Sequence, residues 1–251
     1  MIGIINNGPG IGDKIQFTSI PENFYKNTGQ KLVDLSNSWV FDHNPYISRD
    51  PREVEMVADL WQETLHFPSD RYFTSQGDRF RKLMQLEKTY LRHSRLYEHE
   101  EKQGTKPGTI SVHTTSSPRG EGKTLPPHVI EQIEKNYKSY TIFQVGGKND
   151  NKTPFIDKLG LPLWETAEII ASSQIFIGIN SSMMNIAQCY PRVNRKVFLI
   201  ENDYIDKKDF EIYRPLTQYK EGSESMWIDY NWQYYNIHEE DLGITFTYKK
   251  I

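Results

Sequence analysis

The residues best suited to chemistry in this chain stand in short stretches rich in glycine, serine or threonine. The first, "NGPGIGD", follows the apolar run "IGIIN" and ends in the carboxylate of Asp13. The second, "HTTSSPRGEGKT", sets the hydroxyls of Thr114, Thr115 and Ser116 ahead of a basic side chain, Lys123. A third, "GGKND", and a fourth, "NSSMMN", which holds Asn180, Ser181, Ser182 and Asn185, complete the set. Hydroxyls, amides freed near glycine and a lysine point charge are the groups that hold phosphate oxygens. An ionised carboxylate with an ordinary pKa of about 3.9 is a general base. Together they suit group transfer from a small phosphate-bearing molecule.

The stretch from Ser117 to Thr124 nearly spells the phosphate-binding loop of nucleoside triphosphatases, with Ser117 in place of the first glycine. In that loop the helix starts at Gly-Lys-Thr itself, so that its amides converge on the phosphates. Pro126 and Pro127 follow at once. They remove two donors and clash with a running helix, so the helix is expected to begin near Pro127. The strand "IFIGIN" also ends in Asn180 where a magnesium-binding Asp would stand. A P-loop kinase or NTPase is therefore the second reading.

The elements that would carry these stretches alternate. "IGIIN" and "KLVDLS" read as strands, "SWVFDHNPYI" as a third broken at Pro45, and residues 50 to 66 as a helix on the spacing of Val54, Val57, Ala58, Trp61 and Leu65. Residues 78 to 102 show a weaker helical stripe. In the second half "TISVH", "YTIFQVGG", "IFIGIN" and "KVFLI" read as strands, and "PPHVIEQIEKNY", "LWETAEIIASS" and "MMNIAQCY" as helices. This alternation predicts parallel sheets covered by helices, with ligands at the carboxyl ends of the strands. Two domains are expected, 1–105 and 106–251, with the final segment packing back on the first.

The 251 residues suffice for a real core, and a net charge of −3 gives no global pull toward nucleic acid or acidic membranes. The lone Cys189 allows no internal disulfide and suits a reducing compartment. No basic-then-apolar leader and no membrane-length apolar run is present in the sequence, so a cytoplasmic location is expected.

From Thr109 to Ile200 the order of features resembles the heptosyltransferase-type glycosyltransferases of family 9. The matching pieces are His113-Thr114-Thr115 after a strand, Lys123 before a proline-initiated helix, "QVGG", and "ETAEIIASSQIFIGINSSMMNIAQ". "GPGIGD", with Asp13, and "DHNPYI" resemble the family's N-terminal stretches. The resemblance implies a GT-B fold: two Rossmann-like parallel-sheet domains facing a cleft, here with a reduced N-terminal acceptor side. It implies a metal-independent, inverting transfer of sugar from a nucleotide-diphosphate donor to a hydroxyl acceptor. Asp13 would be the catalytic base, and Gly12, Thr114, Thr115, Ser116, Lys123, Asn180, Ser181, Ser182 and Asn185 would bind the donor. No metal and no cofactor is expected, and the chain has no Asp-x-Asp of the metal-dependent GT-A kind. The expected acceptor is a glycan or lipopolysaccharide-type saccharide, with a modified DNA base as a second class. The family usually has Asp at Asn180, Gly at Ser182 and His at Asn185; these departures keep an inactive nucleotide-sugar binder as a third reading.

Simpler roles stand beside these. Asp13 would cap the helix after it, and Ser181 and Ser182 are ordinary helix-start residues. His113 reads as a buried strand histidine, Glu165 as a helix-start carboxylate, and Arg119 as a candidate phosphate contact. "SMWIDYNWQYYN" would pack between domains or stack on a sugar or base, and the basic stretch 78–95 is a solvated face or a nucleic-acid contact.

Overall fold

The apolar run at the N-terminus forms β1 (Ile2–Ile5), which pairs in parallel with β2 (Leu32–Asp34) on one side and β4 (Met56–Asp59) on the other. The two-residue strand β3 (Ile47–Ser48) completes a sheet of order β3-β2-β1-β4. This computed structural model describes residues 1–8, 10–65, 84–88, 94–115, 124–125, 127–179, 181–190, 192–199, 226–230 and 247–250. The chain divides into two compact units, Met1–Glu100 and Glu101–Ile251.

In the first unit, α1 (Ile11–Gln16) and α2 (Ile20–Thr28) are joined by a 3-10 turn at Phe17–Ser19. Gly29, at φ +73°, ends α2 in the left-handed conformation that glycine adopts without Cβ strain, and its N–H donates to the Tyr25 carbonyl. Ile4, Ile15, Phe17, Ile20, Leu32 and Val33 are buried. Each such side chain contributes roughly 1.5–3 kcal/mol relative to exposure.

Residues 50 to 66 are not one helix. Pro51–Glu53 form a 3-10 turn, β4 follows, and α3 (Leu60–Leu65) begins only afterwards. The helical spacing of the apolar residues loses to two local signals and one tertiary one. Asp50 accepts from the Arg52 N–H at 3.0 Å and Asp59 accepts from the Trp61 and Gln62 N–H groups at 3.1 Å, so each carboxylate starts its own turn. Between them, Ile2 to Ile5 offer a parallel ladder that satisfies the backbone of residues 56 to 59. "SWVFDHNPYI" likewise yields a 3-10 turn at Trp39–Phe41 and only β3 as strand. Of residues 78–102, the described parts contain no α-helix, only a 3-10 turn at Glu100–Lys102.

The second unit is built around β5 (Lys106–His113). Beside it in parallel lie β6 (Thr141–Gly146) and β7 (Ile156–Leu159) on one side, β8 (Ser173–Ile179) and β9 (Asn194–Leu199) on the other. β10 (Met226–Tyr230) and β11 (Thr247–Lys250) add to the β9 edge in antiparallel fashion, giving the order β11-β10-β9-β8-β5-β6-β7. The described parts of the final segment thus extend this sheet. The helices are α4 (Pro127–Asn136), α5 (Leu163–Ser172) and α6 (Ser182–Gln188). Ile110, Val112, Leu125, Val129, Ile133, Ile142, Ile175, Ile177 and Ile179 form one buried cluster. The near-continuous apolar run of β8, from Ile175 to Ile179, follows from its central position in the sheet. Among the described residues no helix is long and apolar enough to cross a membrane.

Candidate functional site

At the carboxyl end of β1 the chain turns through Asn6, Asn7 and Gly8 into α1. Asn6 is buried; its backbone N–H donates to Ser36 Oγ at 3.2 Å and its Nδ2 to the Lys14 carbonyl at 3.0 Å. Asp13 is half-buried in the first turn of α1, and its Oδ2 accepts from the Gly10 N–H at 2.9 Å. Among the described residues Oδ1 carries no hydrogen bond. A Cβ at Gly8 would come within 2.9 Å of Asp13 Cβ and 3.2 Å of the Lys14 nitrogen, so this glycine lets the turn close over the helix start. Gly12 lies half-buried in the same turn. At the neighbouring strand end the buried Asp34 accepts from the Ser36 and Ser38 N–H groups at 2.9 Å, and Arg49 Nη1 lies 2.8 Å from it.

The second unit gathers its polar residues at the ends of β5, β6 and β8. Ser181 occupies the N-cap position of α6 with extended backbone (φ −155°, ψ 179°), but its hydroxyl makes no cap bond. It pairs instead with His113 Nδ1 at 2.8 Å. The ring is 4% exposed, and its Nε2 lies 3.3 Å from Asp150 Oδ2. Asp150 Oδ2 also accepts from the Gly147 N–H at 2.8 Å, which ties the carboxylate to the turn after β6. Gly146, at φ +148°, has a backbone that L side chains rarely adopt, and a Cβ there would collide with the Asp150 carboxylate and the His113 ring.

Thr114 is 1% exposed, and its Oγ1 accepts from Gln144 Nε2 at 3.0 Å. The same Nε2 donates to the Asn151 carbonyl at 2.6 Å, while Oε1 accepts from the Thr153 N–H and hydroxyl at 3.0 and 2.9 Å. Gln144 therefore clamps the end of β5 to the loop after β6. Thr115 forms an isolated antiparallel bridge with Thr124, and its buried hydroxyl has no partner among the described residues. The Leu125 N–H donates to the Thr114 carbonyl at 2.8 Å. Thr124 thus lies in a β-bridge, where a P-loop would have it in the first turn of the helix, and α4 spans Pro127–Asn136.

The structure pairs Ser181 with His113, and Thr114 with Gln144. Ser182 is the first residue of α6, and Asn185, half-buried, donates its N–H to the Ser181 carbonyl at 3.2 Å. Ser116, Arg119, Lys123 and Asn180 lie outside the described residues. Sequence reasoning marked the stretches "QVGG" and "GGKND" without singling out Gln144, Gly146 or Asp150, and gave His113 only a packing role. The available signal was "QVGGKND": a paired glycine then a carboxylate, at the end of a central strand. Among the described residues no group of three or more His, Cys, Asp or Glu could hold a metal ion.

No protein-family model matches the sequence, and no curated protein matches it significantly. Solved structures do match. The glycosyl transferase family 9 structure from Veillonella parvula DSM 2008 superposes with a TM-score of 0.57 at 13% identity, covering 96% of this chain and 94% of that one. The bacterial iron-containing dodecameric glycosyltransferase TibC from enterotoxigenic E. coli H10407 gives 0.54 at 16% identity, covering 78% of this chain and 59% of that one. The fold is therefore α/β and GT-B-like, similar to that of family 9 glycosyltransferase structures.

Proposed function

We propose that this chain is a glycosyltransferase that moves a sugar from a nucleotide-diphosphate donor to a hydroxyl acceptor, in one inverting displacement and without a metal ion. The likeness in fold to a family 9 structure over 96% of the chain carries the reading. In the step, the acceptor oxygen attacks the anomeric carbon opposite the leaving group. The bond from that carbon to the diphosphate oxygen breaks, and the electron pair leaves with the nucleoside diphosphate. The acceptor proton passes to Asp13. Its carboxylate suits this role because one oxygen is anchored on the Gly10 N–H and the other has no bond among the described residues.

The donor set in this reading is Gly12, Thr114, Thr115, Ser116, Lys123, Asn180, Ser181, Ser182 and Asn185. Hydroxyls and the Lys123 charge would offset negative charge developing on the diphosphate. Thr114, buried and held by Gln144, would act by fixing the strand end. The acceptor class is a saccharide, with a hydroxyl on a modified DNA base as the other, and the lone cysteine suits action in the cytoplasm.

A thermal-shift screen of nucleotide-sugars tests the reading, because a ligand that binds only the folded state raises its melting temperature. One nucleoside series is expected to raise it, and transfer is expected to continue in excess chelator. Magnesium-dependent triphosphate hydrolysis, or no response to any nucleotide-sugar, would overturn it.

A further inference from the structure

Asn6 is the first residue past β1, and it is 2% exposed. Burying an amide costs stability that an apolar side chain does not, unless its polar atoms find partners. Only half of this amide does. Nδ2 donates to the Lys14 carbonyl at 3.0 Å, while Oδ1 is buried with no partner among the described residues. The backbone N–H of Asn6 donates to Ser36 Oγ at 3.2 Å, and Ser36 Oγ donates in turn to Asp34 Oδ1 at 2.6 Å. Asp34 is itself buried and paired with Arg49. A line of bonds thus runs from the end of β2, through the end of β1, to α1.

α1 has six residues, too few to hold its direction without support from outside. Lys14 is fixed on both sides: its N–H donates to the Gly10 carbonyl at 3.1 Å, and its own carbonyl accepts from Asn6. Asp13 precedes Lys14 and accepts from the Gly10 N–H, so its carboxylate moves with this turn. Gly8 closes over the same place, since a Cβ there would lie 2.9 Å from Asp13 Cβ. The bonded half of the Asn6 amide is kept at the expense of an orphaned oxygen, which stability alone does not call for. We propose that Asn6 is a positioning residue for Asp13: its amide fixes the turn that carries the carboxylate, and with it the direction from which Asp13 Oδ1 meets an acceptor proton. The inference rests on the reading of Asp13 as the base of a transferase.

Release of nucleoside diphosphate by the full chain from UDP-, GDP-, ADP- and CDP-hexoses, with water as the acceptor, tests it in a double-mutant cycle. The water oxygen bonds to the anomeric carbon, the bond to the diphosphate oxygen breaks, and the water proton passes to Asp13. The natural acceptor is therefore not needed. Asn6→Leu keeps the branching of the side chain and removes its polar atoms. With Asp13 present it is expected to lower kcat about 10- to 100-fold, the effect of a displacement of roughly 1 Å, with KM for the donor unchanged. In the Asp13→Asn background it is expected to lower kcat no further, because residues that act as a unit are not additive. Ser36→Ala, which removes the partner of the Asn6 N–H, is expected to give the same pattern with a smaller loss, so a folding defect in Asn6→Leu does not decide the outcome. Equal fold losses in both backgrounds, or no loss with Asp13 present, overturn the role of Asn6 and leave the transferase standing. No release from any of these donors overturns the transferase reading, and the role of Asn6 with it.

Discussion

Asp13 follows β1 in the first unit and His113 ends β5 in the second, each strand lying inside its sheet. Asp13 is tied to Gly10, three residues back. His113 is tied to Ser181, 68 residues on, and to Asp150 on a different strand's loop. The first arrangement needs only one turn of α1. The second exists only when β5, β6 and β8 lie in register. Chemistry built on the first is separable from global stability, whereas the second shares its geometry with the sheet.

The largest effect expected is on Asp13→Asn. The amide oxygen still accepts from the Gly10 N–H, so melting should hold while turnover falls roughly 10²–10⁴-fold, the usual size of a general-base contribution. Retained turnover would reduce Asp13 to a helix cap. In the second unit, Gly146→Ala should cost about 2–3 kcal/mol in denaturant unfolding, from backbone strain and overlap with Asp150 and His113. A neutral result would show that the His113 cluster is looser than its geometry implies. Gln144→Leu should cost roughly 2 kcal/mol, because the Asn151 carbonyl and the Thr153 N–H lose their partner.

The smallest effect sharpens the comparison, since it concerns a long-range cluster in the first unit. Burial alone would push the Glu22 carboxyl up, but hydrogen bonds from Lys26 and Tyr97 and the charge of Arg95 more than offset it and hold it below its ordinary value. A carboxylate depressed in this way contributes stability above its unfolded pKa, and that stability is lost as pH falls through the folded value. Glu22→Gln should therefore flatten the loss of stability below about pH 4.5, read from melting temperature against pH.

The sequence by itself determined the alternation of strands and helices in the second unit, because β5, β6, β8 and α4 carry apolar patterns long enough to be read locally. It also pointed to Asp13 as a capping carboxylate, although the helix starts at Ile11, two residues before Asp13 and not after it, and the side chain reaches back to the Gly10 N–H. It misjudged residues 50 to 66, where pairing with β1 outweighed helical spacing, and it passed over β7, whose "IDKL" is too short and polar to stand out. Only the tertiary structure decided that a serine at the start of α6, a histidine on β5 and an aspartate after β6 touch. Side-chain contacts across a parallel sheet depend on strand order and register, which no local pattern encodes.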